Sequence, residues 1–503
     1  SILGGGTSTV VTVADGAFLQ IGASAGLGDV TVVSRPAGII TATVVNANQT
    51  FDQSGTLTTS NANFNGVQTI ESGVTITTGH NYLGTIPATT TAGRIVFQDN
   101  AKIRVTAGFE LDAKQGISLQ SGTSIFESDA NQAFLIPASV AGSGGIRKIG
   151  AGNVRLTGSN TYSGGTVIEE GIVGISYGAS LGDVSGRLKL DGGTIVAAQV
   201  LSGGTISTVT IDSTRSFVLA NGKTGGIDAQ TGLTLRYDGV ISEENGGGAA
   251  AGLRIGSGAP RQGTVILGGA NTYRGDTTIS YGTLKLASGG SFADSVRIIV
   301  GGSGSSGVAL DLTEKSSFSI GSSQVLMGGG AVNLGANTVL TVSGTFSPGN
   351  SPGLFTYSSG TTVLDGTTVM EIFGTTRATA PSHGSGFYDA VNIANNGVLQ
   401  FGGSLAMEFS SLFDDNTTFD LFTPTTGSSL TGNFTGVNVL GGFYTGLSWT
   451  QTGSEWKSTN TTGGQSLVFN ATNGQLVIVP EPASLLLVLS GTAAAIWAFR
   501  RRR

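Results

Sequence analysis

No cysteine occurs among the 503 residues, and only two histidines do. The first absence removes disulfides and thiolate metal sites together, so backbone ladders and side-chain stacking must supply the stability. The histidines, His80 and His383, lie in turn-like settings (Gly79-His80-Asn81 and Ser382-His383-Gly384), outside any recognisable catalytic motif, and surface exposure is expected for both. Charge is scarce too: 11% of residues are charged and the formal net charge is −6. The one basic cluster is the terminal arginine run, so nothing here makes an electrostatic footprint for nucleic acid.

Convergent acids are also missing. The 31 acidic residues mostly stand alone, with Glu169-Glu170, Glu243-Glu244 and Asp414-Asp415 as adjacent pairs. Neighbours on a strand point to opposite faces and cannot share a substrate, and in a turn they are solvated. The calcium-binding pattern Gly-Gly-x-Gly-x-Asp is absent, since the run 301–306 (GGSGSS) lacks the aspartate, and no Gly-Lys-(Ser/Thr) closes a phosphate loop. No catalytic residue, metal ligand or cofactor is expected.

What the chain does have is glycine, 83 of them, interleaved with Ser, Thr, Asn and Val. That mixture disfavours helix and favours many short strands joined by tight turns. Mean hydropathy is +0.19, unlike a charged disordered polymer. The length suits roughly two to four ordinary domains or one elongated solenoid. Two segments align without gaps, 152–168 (GNVRLTGSNTYSGGTVI) and 263–279 (GTVILGGANTYRGDTTI), at an offset of 111 residues (271 − 160). The match continues through Gly171 with Gly282, Val173 with Leu284 and Ile175 with Leu286. In the first copy Val154 and Leu156, Thr166 and Ile168, then Val173 and Ile175 alternate, which puts them on one face of successive short strands. Gly158-Ser159-Asn160 and Glu170-Gly171 punctuate the turns. Three strands and two turns within residues 154–175 are what one coil of a parallel β-helix requires, and a coil buries its inner face only by stacking on others. At the corners, Asn160 and Asn271 are expected to stack in a side-chain ladder and Tyr162 and Tyr273 to cover the turn; a binding role is the alternative.

The segment 148–175, with Lys148-Ile149-Gly150-Ala151-Gly152, alternating apolar residues and Asn160-Thr161-Tyr162-Ser163-Gly164, resembles the autotransporter-associated β-strand repeat. The second copy lacks the Lys-x-Gly start and has Arg274 in place of the small hydroxyl residue. The resemblance implies a right-handed parallel β-helix in an exported, surface-associated protein, and no catalysis.

Glycine-led alternating stretches recur at 55–59, 73–77, 116–120, 186–190 and, led by alanine, 331–335. Two Pro-Gly pairs in Ser347-Pro348-Gly349-Asn350-Ser351-Pro352-Gly353 then force turns and a change of direction. The expected organisation is degenerate coils over 1–140, repeat coils over 141–345, a C-terminal β section over 346–478 that caps the solenoid, and a tail over 479–503. More irregular coils are the alternative for the third part. Ser347 to Gly353 followed by Tyr388-Asp389-Ala390-Val391 also resembles the downstream part of autotransporter-like proteins. Residues 479–503, however, do not show the alternating ten-residue strands of a membrane barrel, so secretion through its own barrel is not expected.

The tail reads as a three-part address. Pro480-Glu481-Pro482 precedes the uncharged stretch 483–499, and Arg500, Arg501, Arg502 and Arg503 follow. A helix of that stretch reaches roughly 25 Å, enough to cross a hydrocarbon core. The arginines stay cytoplasmic and retain it, with Trp497 and Phe499 at the interface. Everything before Pro480 is then outside the cytoplasm. The chain opens Ser1-Ile2-Leu3-Gly4 without Met or a basic leader, so an export signal is expected to have preceded Ser1. This order of motif, span and arginines resembles the PEP-CTERM protein-sorting domain, which implies processing at Pro480, Glu481 and Pro482 by a membrane-embedded exosortase; a plain membrane anchor is the alternative.

The resulting expectation is an all-β protein: a right-handed parallel β-helix with a C-terminal β cap and a single C-terminal transmembrane helix. Its function would be structural or adhesive, at the cell surface or in the extracellular matrix after an inner-membrane intermediate. The expected partners are an exosortase, the lipid bilayer before processing, and extracellular polysaccharide. The rival is a β-helical polysaccharide lyase or hydrolase.

Overall fold

The computed structural model describes residues 66–480, apart from 200–205, 246–247, 259–260, 303–306, 350–351, 380–383 and 460–461, together with 9–13, 18–21, 30–34, 39–42, 47–51 and 54–57. The chain forms two compact units, Ser1–Ile298 and Ile299–Arg503. Among the described residues the one helical element is a single 3-10 turn, Gly178–Leu181, and strands make up the rest of the regular structure.

Alternation builds the first unit. Its short strands stack in parallel, each paired with the equivalent strand of the coil before and after. A first ladder runs from Thr9–Val13 to Val140–Gly142. A second runs from Gly55–Leu57 to Ile241–Glu243. A third begins at Phe109–Glu110 and includes Thr277–Ile279. A fourth begins only at Thr208–Ile211 and includes Thr283–Leu286. Along the third ladder Phe134, Val154, Val173, Ile195 and Ile227 stand in register, and none exceeds 1% exposure. Such a column is the core. Each side chain in it contributes roughly 1.5–3 kcal/mol by leaving water, but only because its neighbours above and below do the same.

The outer face of the second ladder carries ion pairs that run from coil to coil. Lys102 meets Glu127 at 2.9 Å, Arg104 meets Asp129 at 3.0 Å, Arg147 meets Glu169 at 2.6 Å and Lys189 meets Glu244 at 2.7 Å. Partly exposed pairs of this kind add little stability each; they leave that face with few uncommitted charges.

The second unit is more regular. Three parallel ladders of five strands run from Ala309–Leu312 to Phe422–Pro424, from Ser317–Ile320 to Ser429–Gly432 and from Val325–Gly328 to Gly436–Gly442. Parallel pairing therefore continues well past the Pro-Gly pairs, so residues 346–478 are not one separate section. The physical reason is local. Pro348 closes the strand Thr345–Pro348, where no further N–H is needed, and Gly349 turns the corner at φ 88°. Leu354–Ser358 then pairs in parallel with Ala331–Leu334 and Ala390–Ala394. Asp389, fully buried, fastens this corner: its carboxylate accepts the N–H groups of Gly353 and Glu371, both at 2.7 Å.

Among the described residues of this unit, extended antiparallel pairing comes at its end, beyond the single pair Ile372 with Tyr388 and the bridge Gly328 with Gly349. Thr418–Asp420, Gln475–Pro480, Gln465–Asn470, Glu455–Ser458 and Trp449–Thr452 form a five-stranded sheet. From it Phe469 packs on Phe401, Phe422 and Phe434, residues of the last coils, with centroids 5.7–6.2 Å apart.

Candidate functional site

The two repeat copies place the same side chains in the same bonds. In the first, the Thr161 N–H donates to the Val140 carbonyl (2.8 Å) and the Ser163 N–H to that of Gly142 (3.0 Å). Asn160-Thr161-Tyr162 thus lies along Val140–Gly142, the last strand of the first ladder. Asn160 Oδ1 accepts the Val140 N–H at 2.8 Å while its Nδ2 donates to the Ser180 carbonyl at 2.6 Å. The Tyr162 hydroxyl bonds Thr166 Oγ1 at 2.7 Å. In the second copy Thr272 N–H meets the Ile241 carbonyl (3.0 Å), Asn271 bridges the Ile241 N–H and the Ser291 carbonyl (both 2.9 Å), and Tyr273 bonds Thr277 (2.8 Å). Ile241–Glu243 is likewise the last strand of its ladder.

Each copy therefore sits where a ladder ends, and its asparagine satisfies backbone groups that a terminal strand would leave open. Asn160 and Asn271 are 5% and 3% exposed, and both tyrosines are fully buried. Burial pushes the Tyr162 hydroxyl up to about 12. These groups are out of a ligand's reach, so the corner is structural.

The features peculiar to one copy also have structural explanations. Lys148, fully buried, donates from Nζ to the carbonyls of Ile149 (2.7 Å), Gly150 (2.5 Å) and Glu170 (3.2 Å). It ties the Lys-x-Gly turn to the next coil, and burial lowers its pKa to about 8. Arg274, where the first copy has Ser163, reaches Glu243 with both its N–H (2.8 Å) and its guanidinium (2.7 Å). Burial alone would raise the Glu243 carboxyl, but the N–H groups of Ala251 and Arg274 and the guanidinium outweigh it and hold the pKa below the ordinary value.

The adjacent acids do not converge. Glu169 pairs with Arg147 while Glu170 is exposed. Glu243 is buried against Arg274, whereas Glu244 faces out to Lys189. Asp415 accepts from Gln465 at 2.7 Å and Asp414 is exposed. His80 is exposed, its ring 5.3 Å from that of Tyr82; His383 lies outside the described residues. Among the described residues no three His, Asp or Glu side chains gather as metal ligands would.

Of the sorting residues, Pro480 ends the last strand, Gln475–Pro480, opposite Gln465. Glu481, Pro482, the stretch 483–499 and Arg500, Arg501, Arg502 and Arg503 lie outside the described residues. No helix among the described residues is long and apolar enough to cross a membrane.

One feature has no trace in the sequence motifs. Between Thr75–Thr78 and Thr91–Phe97 the chain leaves the coil, and this excursion walls a cavity of about 760 Å³ shared with Glu110 and Asp112.

Comparison with known proteins agrees with the repeat and the tail. The passenger-associated-transport-repeat model matches residues 146–175 and 262–286, and the PEP-CTERM protein-sorting motif matches 479–503. The chain is 36% identical over 151 residues to the adhesin BmaC autotransporter of Brucella suis biovar 1 (strain 1330). That stretch is 30% of this chain but only 4% of the adhesin. No solved structure matches the chain. The chain carries passenger-associated-transport repeats on an all-β solenoid and a PEP-CTERM sorting motif at its end, and is an exported cell-surface protein.

Proposed function

We propose that this protein is a non-catalytic adhesive or structural element of the cell surface or extracellular matrix. Its coils form a right-handed parallel β-helix, the antiparallel sheet between 418 and 480 is the terminal cap, and 483–499 spans the inner membrane before processing. An exosortase cuts at Pro480, Glu481 and Pro482, while Arg500, Arg501, Arg502 and Arg503 hold the tail on the cytoplasmic side. The observation that carries the reading is the union of a sorting motif with coils whose adjacent acids do not converge and whose repeat corners hold neighbouring coils together. Solenoid faces of Thr, Ser and Asn then offer many weak contacts to a hydrated polysaccharide.

Intact mass and fractionation in the native host test this. The wild-type protein should be recovered outside the inner membrane, shortened in the Pro-Glu-Pro region, while Glu481→Ala accumulates full-length in that membrane. Release of the variant at the wild-type mass would overturn the processing scheme. Appearance of new reducing ends or unsaturated sugars from a polysaccharide incubated with the protein would overturn the non-catalytic one.

A further inference from the structure

We infer that the cavity beside the 79–90 excursion of the first unit is a binding site for a neutral saccharide. The excursion takes the place that the strand Phe109–Glu110 holds in the next coil, and its position is fixed by buried and partly buried polar contacts. Asn81 Nδ2 donates to Gln115 Oε1 at 2.7 Å, and Gln115, itself fully buried, donates to the Leu83 carbonyl at 3.0 Å. From the neighbouring strand Arg94 donates to the carbonyl and the hydroxyl oxygen of Thr85, at 3.2 and 3.1 Å. A loop pinned at three points presents a wall that is formed before any ligand arrives, which removes an ordering cost from binding.

The facing wall comes from the next coil. Glu110 ends the strand Phe109–Glu110, and Asp112 follows in a turn held by its own side chain, Oδ1 accepting the Lys114 N–H at 2.9 Å. The cavity is therefore lined by two carboxylates, a threonine and an asparagine, with Ile86, Leu111 and Ala113 as its apolar surface. Ile86 is 56% exposed. Ionised carboxylates only accept hydrogen bonds, so the complementary ligand is rich in hydroxyl donors. An exposed isoleucine beside them suits the C–H face of a pyranose ring.

Size and charge narrow the class further. About 760 Å³ is far more than one cation needs and falls in the range of small-ligand sites. No lysine or arginine is among the lining residues, and two acids repel uronates and other anionic sugars. The guanidinium close to Glu110, that of Arg155, is committed to the Gln199 carbonyl. Among saccharides, a neutral oligosaccharide is what remains.

The inference rests on the adhesive reading only for its meaning outside the cell, because binding is measured on purified full-length protein in detergent. The probes are gluco-, manno- and galacto-configured hexasaccharides, with hexagalacturonate as the acidic comparison, titrated by calorimetry. One or more neutral probes should bind, hexagalacturonate should not, and Glu110→Gln and Ile86→Ser should each weaken binding about tenfold. Both positions are exposed or partly so, and circular dichroism of each variant checks that the fold is kept. Absence of binding by every neutral probe, equal binding by the folded variants, or preference for hexagalacturonate would overturn the assignment. A processing defect in Glu481→Ala with saccharide binding intact, or the reverse, separates failure of one proposal from failure of the other.

Discussion

At the scale of single residues, Arg274 shows how one change alters a repeat corner. The first copy leaves Ser163 to bond only through its backbone, whereas Arg274 brings a cation to the buried Glu243. Because the folded pKa of Glu243 lies below its ordinary value of 4.5, its contribution is fully present above that value. It is lost as pH falls through the folded pKa. Arg274→Ser removes the guanidinium and leaves burial to act with less opposition, so the Glu243 carboxyl should titrate at higher pH. The variant should lose about 1–3 kcal/mol at neutral pH and begin its acid unfolding earlier. Carboxyl NMR titration and urea unfolding from pH 3 to 7 measure both, and a wild-type acid profile would refute the account. Arg274 stands out in the sequence as a departure from the repeat, yet its partner could not be read there. Glu243 lies one coil below, and contacts between coils follow no fixed sequence offset when coil lengths vary.

At the scale of elements, the glycine count acquires a spatial reason. In the second unit Gly344, Gly366 and Gly403 stack at one corner of successive coils. A Cβ on Gly366 would strike the Gly344 carbonyl oxygen, and one on Gly403 would strike that of Gly366. Gly366→Ala should therefore cost about 3 kcal/mol, since the backbone of Ser343 and Gly344 would have to move. Gly436→Ala is the control: nothing lies within 4 Å of its added carbon, and it should be neutral or slightly stabilising. Thermal unfolding of the two variants decides it, and equal melting temperatures would count against the column. Strand alternation was legible because inward residues repeat every second position, as Val154, Leu156, Val173 and Ile175 do. The glycine column was not, because it exists only once the coils are in register.

For the whole molecule, the important distinction is between stacking and closure. Stacked coils need an end, and on the reading proposed above the antiparallel sheet of the second unit is that end, with the fully buried Phe469 packed on Phe401. Phe469→Ala should cost about 3–5 kcal/mol and loosen that sheet from the last coils. Unpaired strand edges then come into play, so the variant should associate with rising concentration in sedimentation velocity, while the wild type does not. A monomeric variant would mean that the sheet is not what protects the end. A cap over 346–478 is the expectation from the sequence, whereas the antiparallel strands begin at Thr418. The Pro-Gly pairs at 348–349 and 352–353 look like a boundary and act as a corner.

The ladder geometry has a mechanical side. A strand in either unit is held chiefly by the coils immediately before and after it, with no disulfide to carry load around them. Tension applied to one end of such a stack is borne by one rung at a time. Under load such a stack should yield coil by coil, because each coil's stability comes from its immediate neighbours.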